Sequence, residues 1–106
     1  MKLMTSEIEK KAQAQYPKGS SMDQMVVAKF FDPTSQWTWY LINQDPEDPD
    51  YLWGIVKGFD VEIGSFSLHE LETTRGKFGL RIERDTSFAP QSAHDVYDML
   101  IKGVQV

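Results

Sequence analysis

A chain of 106 residues, 41% apolar and 12% aromatic, is long enough for one hydrophobic core and too short for two, and these globular values exclude a disordered chain. A net charge of −5 argues against a protein that grips phosphate backbones; it is compatible with a protein partner that has a basic surface, although plain solubility is the commoner reason for such a charge. The absence of cysteine excludes disulfides and thiolate-bound metal, and the opening MKLMTSEIEKKAQ has no apolar run fit for a signal peptide or a membrane span, so a cytoplasmic protein with no membrane partner is expected.

TSEIEKKAQAQYP predicts a first helix. Ser6 is placed to cap it and Glu9 to close a capping box, while Ile8, Ala12 and Tyr16 share one face and Pro17 and Gly19 end it. MVVAKFF, residues 25–31, is β-branched and aromatic, as a strand should be. After the turn DPTSQ, WTWYLIN alternates Trp37, Trp39 and Leu41 with Thr38, Tyr40 and Ile42. Large groups on both faces predict a central strand, paired antiparallel with the one before it. QDPEDPD interrupts the pattern. Pro46 and Pro49 speak against a regular ladder, and Asp45, Glu47, Asp48 and Asp50 need water, so a negative loop standing away from the sheet is expected. YLWGIVKG and FDVEIGSFS supply a third and a fourth strand around a tight turn at Gly58.

In SLHELETTRG the period changes. Ser67 as N-cap, Glu70 as capping-box partner and Gly76 beyond the C-terminus predict a short helix. GLRIERD alternates as a fifth strand, with Leu80 and Ile82 inward and Arg84 sharing their parity. Ser92 and Asp95 then open a last helix, 92–102, with Val96, Met99 and Leu100 as its apolar stripe and Gly103 as its end. The fold class is α+β in a single domain, 1–106. It has an antiparallel sheet of about five strands, an N-terminal helix, a short helix before the last strand and a C-terminal helix, with the helices mainly on one face.

VAKFFDP, WTWY, WGIVKGFDVEIGSFSLHELE, RGKFGLRIERD and a final F-x-P occur in that order. Together, over about residues 5–90, they resemble DUF2958, a family of small bacterial proteins classed as a domain of unknown function. The resemblance implies a setting on plasmids and other mobile genetic elements. It carries no catalytic residues. Such elements use conjugation accessories, regulators and inhibitors of host defence, the last including small acidic proteins of the anti-restriction and anti-CRISPR kinds.

The ionisable candidates are Glu62, His69, Glu70, Glu83, Arg84, Asp85, His94 and Asp98. His69 stands three residues before Glu72, and His94 four before Asp98. No metalloprotease spacing, nucleophile elbow or phosphate loop accompanies them, so neither a catalytic residue nor a metal or other cofactor is assigned. Arg84 is expected to point inward and form a structural ion pair with Glu62 or Glu70. Trp37, Trp39, Tyr40, Tyr51 and Trp53 resemble a base-stacking platform in type, but residues 35–56 hold no Lys or Arg among them, and core packing accounts for the aromatics. The candidate partner-binding set is Asp45, Glu47, Asp48 and Asp50 with Tyr40 and Tyr51. The expected function is a non-catalytic, protein-binding accessory of a mobile element, in its sharpest form an inhibitor of a host defence system. A metal-assisted hydrolase built on the His and carboxylate residues, or a nucleic-acid-binding accessory factor, are the alternatives.

Overall fold

The computed structural model describes residues 2–106. In chain order the elements are α1 (Ser6–Gln15), a 3-10 turn (Tyr16–Lys18), β1 (Met25–Val26), β2 (Ala28–Phe31), β3 (Thr38–Asp45), β4 (Asp48–Lys57), β5 (Val61–Ser67), α2 (Leu68–Thr73), β6 (Glu83–Arg84), β7 (Gln91–Ser92) and α3 (Ala93–Ile101). Five strands form one antiparallel sheet in the order β5-β4-β3-β2-β6. The fold is α+β, with β3 at the centre as its two-sided apolar pattern requires.

Both faces of that sheet are covered. Leu41, Phe30 and Leu52 join Ala12 of α1 and Leu71 of α2 on one side. Tyr40, Ile42 and Ile55 join Ala93, Val96 and Leu100 of α3 on the other. The expectation of helices mainly on one face is therefore corrected. Consecutive large side chains on β3 point to opposite faces, so each face needs its own cover. The segment 25–31 is correspondingly not one strand. Val26 leaves the main sheet to pair with Gln91, and Met25 with Ser92. This small second sheet delivers α3 to the far face.

The helix ends differ in detail from the sequence reading. Thr5, not Ser6, caps α1, its hydroxyl accepting from the Ile8 amide at 3.1 Å. Ser67 caps α2 and Ser92 caps α3 as expected. Gly76 is no helix terminator, because α2 ends at Thr73 with Thr74 as its C-cap. Gly103, at φ +79, does end α3. The Val104 amide donates to Met99 and the Gly103 amide to Leu100, the Schellman pattern.

The strand from 79 to 85 is shortened to β6. Ile82 is buried, but Leu80 is exposed because residues 76–80 curl off the sheet. No described helix is long and apolar enough to cross a membrane.

One close approach fixes the centre of the sheet. Between Leu41↔Gly54 and Asn43↔Trp53 the register slips by one residue on β3. The slip is a β-bulge at Ile42, which bends the strand. A Cβ on Gly54 would overlap the backbone carbonyl of Tyr40. Gly64, on the next strand, faces open space. Gly54→Ala should therefore cost about 3 kcal/mol or more in chemical denaturation, as overpacking against backbone does. Gly64→Ala should stay within about 1 kcal/mol of wild type. Equal stabilities for the two variants would contradict this account of the bulge.

Candidate interaction surfaces

The acidic stretch is not a loop standing away from the sheet. β3 and β4 run to the tip, where Asp45 pairs with Asp48 across the two-residue turn Pro46-Glu47. Pro49 sits inside β4, and the register jumps between Gln44↔Leu52 and Asp45↔Asp48 to admit it. The jump is held from inside. The buried Gln44 amide donates to the Pro49 carbonyl at 2.6 Å and receives a bond from Gln13 of α1 at 3.1 Å.

The four carboxylates have separate fates. Asp50 accepts from the His69 amide at 2.7 Å and from the Ser67 hydroxyl at 2.9 Å, stapling the start of α2 to β4. Those bonds, the backbone one first, hold its carboxyl below the usual carboxylate range. Asp50 thus does the work expected of Glu70, because Glu70 offers the cap only its amide. Asp45 accepts from the Glu47 amide at 2.9 Å, and its hydrogen bonding and charge push the Tyr16 hydroxyl upward. Tyr51 meets Tyr16 edge-on at 6.5 Å. Glu47 and Asp48 remain exposed.

Tyr40 is removed from the candidate partner-binding set. It is buried beneath α3, its hydroxyl donating to the Val106 carbonyl at 3.1 Å, and burial with the charge of Asp85 pushes its pKa up to about 12. Trp53 is buried as well.

The ion pair expected of Arg84 is also corrected. Arg84 is half-buried as anticipated, but its guanidinium donates to the carbonyls of Lys2 and Leu3 and meets no carboxylate among the described residues. Topology forbids the expected partners. Glu62 lies on β5 and Arg84 on β6, the opposite edges of the sheet, and four strand spacings separate them by about 19 Å. Glu70 belongs to α2, which packs at the β4–β5 side.

His69 and His94 are exposed on different helices, and Asp98 pairs with Lys102 at 3.1 Å. Among the described residues no group of three His, Asp or Glu stands close enough to hold a metal ion. Asp85 pairs with Lys29 at 3.7 Å.

Two surfaces stand out that the sequence did not announce. The first is the outer edge of β5. Its seven residues pair only with β4, in unbroken register from Tyr51↔Ser67 to Lys57↔Val61. The strand holds no Lys, Arg or Pro, and Ile63 is 40% exposed. Beside it, Trp39, Val56, Glu62 and Phe66 line a shallow groove.

The second surface is the end of the sheet opposite the acidic tip. There Trp37 stacks on Trp39 at 6.1 Å and meets the 95%-exposed Phe59 edge-on at 5.8 Å. At the same end, Arg75 and Arg81 bridge a small hairpin, and Phe78 is 91% exposed at its apex. The sequence signal for this hairpin was TRGKFGLR, three cations without an acid.

Residues 2–102 match the model of a family described as "Protein of unknown function (DUF2958)". The match runs through α3, beyond the residues that carry the resemblance in sequence. No curated protein and no solved structure matches the chain.

The Asp50 staple predicts a pH dependence. A carboxyl lowered in the folded state stabilises above its unfolded pKa, and loses that contribution as pH falls through the folded value. Asp50→Asn should lower the melting temperature at neutral pH, and the gap from wild type should close as pH drops below the ordinary Asp value of 3.8. A gap that is constant with pH would refute the staple.

Proposed function

The chain belongs to the DUF2958 family, and on that footing we propose that it is a non-catalytic accessory protein that binds a partner protein by strand addition at the free edge of β5. The observation that carries this reading is the edge itself. Native sheets blunt their edges with short strands, Lys, Pro or bulges, or cover them, because unpaired backbone groups template further pairing. The opposite edge follows that rule. β6 has only two residues, and one of them, Arg84, is tied to the chain near its N-terminus. β5 has seven residues in unbroken register, no Lys or Pro, and Glu62 as its one charge.

The occupant is an extended segment of another protein. Its backbone pairs with β5, and an apolar side chain enters the groove between Trp39 and Phe66. Glu62 on that groove and the net charge of −5 favour a segment that carries Lys or Arg, and disfavour a second copy of the same acidic chain. The exposed Glu47 and Asp48 add long-range attraction toward such a partner. The biological setting we infer is the cytoplasm of a cell carrying a mobile element, with inhibition of a host defence complex as the sharpest role. A small acidic binding domain without a catalytic cluster suits that role.

Ile63→Lys and Ser65→Lys place a guarding cation on the edge at two exposed positions. Affinity capture from host lysate should retain a partner on the wild-type protein and lose it at least about tenfold on either variant, an ordinary interface effect. The melting temperature should not change. A partner retained equally by all three proteins would eliminate the β5 edge as its site. Symmetric dimers abolished by Ile63→Lys would replace the partner with a second copy.

A further inference from the structure

We propose that the hairpin 75–81 is a second binding site, for single-stranded nucleic acid, with Phe78 as a base-stacking platform and Arg75, Lys77 and Arg81 as phosphate contacts. The site is built rather than merely exposed. The Gly76 amide donates to the Leu80 carbonyl at 2.8 Å and the Leu80 amide to Lys77 at 3.3 Å, closing the turn on itself. Phe78 at φ +61 and Gly79 at φ +70 are its two central residues.

A primed turn of this kind favours Asn or Asp at the first central position, and a bulky residue there is strained. The strained residue is also one of the most exposed, so its ring gains nothing from the core. Strain held at an exposed, closed turn is the mark of a residue kept for contact.

The turn is further fixed from beneath. The Thr34 hydroxyl donates to Asp32 at 2.7 Å and accepts from the Lys77 amide at 3.3 Å. A Cβ on Gly76 would press on both Thr34 and Asp32. Asp32, packed against Gly76, accepts from the Thr34 hydroxyl and amide, which hold it in its charged form beneath the turn, and Glu83 begins the strand beyond.

Arg75, Lys77 and Arg81 are exposed and form no ion pair among the described residues. The Arg75 guanidinium donates to the carbonyls of Glu72 and Thr74 at 3.1 Å each, which orients it while its charge stays uncompensated. An exposed ring within a cluster of unpaired cations is the chemistry that holds a single strand: stacking for the bases, charge for the backbone.

Of the sixteen acids in the chain, the four of the acidic tip are too distant to oppose this. The acidic tip lies at the other end of β4, whose ten residues span about 33 Å. That distance is several Debye lengths at physiological salt, each about 8 Å.

The test uses the full chain and a fluorescein-labelled oligothymidylate of about twelve nucleotides, with binding read by anisotropy against salt. Three phosphate contacts predict a log–log slope near −2, so that a tenfold rise in salt weakens binding about a hundredfold. Phe78→Asn should weaken binding at least about fivefold while raising the melting temperature, because Asn relieves the turn. Charge removal by Arg75→Gln, Lys77→Gln and Arg81→Gln together should flatten the slope. Absence of binding at low salt would overturn the proposal, as would affinity unchanged in Phe78→Asn. Equal binding of duplex DNA would remove the stacking role. Poly-glutamate bound as tightly as the oligonucleotide would assign the site to an acidic protein instead.

Discussion

Tyr40, Leu41 and Ile42 are three consecutive residues of β3 with almost no exposed surface, and their alternation obliges the sheet to be covered twice. Each fully buried side chain of this size is worth roughly 2 kcal/mol of transfer free energy, so neither face can be left open. The bulge at Ile42 then resets the alternation. Beyond it the strand carries amides instead of apolar groups, and these are bonded. Asn43 donates to the buried Gln24 at 2.9 Å and to the Gly19 carbonyl at 3.0 Å, while Gln44 bridges α1 and β4. No buried side-chain polar atom among the described residues lacks a partner. An apolar middle and a polar, fully bonded end thus define one strand. They account for why the helices and the 3-10 turn gather where they do.

From that strand the two edges of the sheet diverge. On the β2 side the sheet closes quickly, with two residues of β6 and an arginine tied to backbone carbonyls near the start of the chain. On the β4 side it runs on for seven regular residues and stops in the open. α2, stapled by Asp50 to β4, guards the C-terminal end of β5 without covering its flank. The acidic residue that looked most like surface decoration therefore helps to define the boundary of the open edge. An interaction reading of the protein turns on this asymmetry more than on its charge.

Element types were legible in the sequence wherever a period was sustained. The central strand, the caps at Ser67 and Ser92 and the terminator at Gly103 all follow from local chemistry. Three features were not legible, each for a non-local reason. The pairing of Val26 with Gln91 joins residues far apart in the chain. The ladder through Pro49 survives because a buried glutamine from β3 satisfies the displaced backbone. Arg84 finds carbonyls rather than carboxylates because the strand order sets Glu62 on the opposite edge. Parity alone gives the face on which a residue lies, never the strand beside it.

The two exposed hairpin tips solve the same geometric problem in opposite ways. Right-handed strand twist favours turns with positive φ at both central residues. Pro46 cannot adopt positive φ, because its ring fixes φ near −65°. The β3–β4 tip accordingly accepts a broken register, and internal hydrogen bonds from Gln44 absorb the irregularity. The 75–81 tip adopts the positive φ at both central residues, but carries a phenylalanine where Asn or Gly would cost less. In the first tip the irregularity is repaired inside the fold. In the second the backbone strain stays in place, and the ring that it carries is 91% exposed. A strain that the fold neither relieves nor uses must be explained from outside it. That reasoning separates the basic hairpin from the acidic one, although both are charged, solvent-facing turns of similar length.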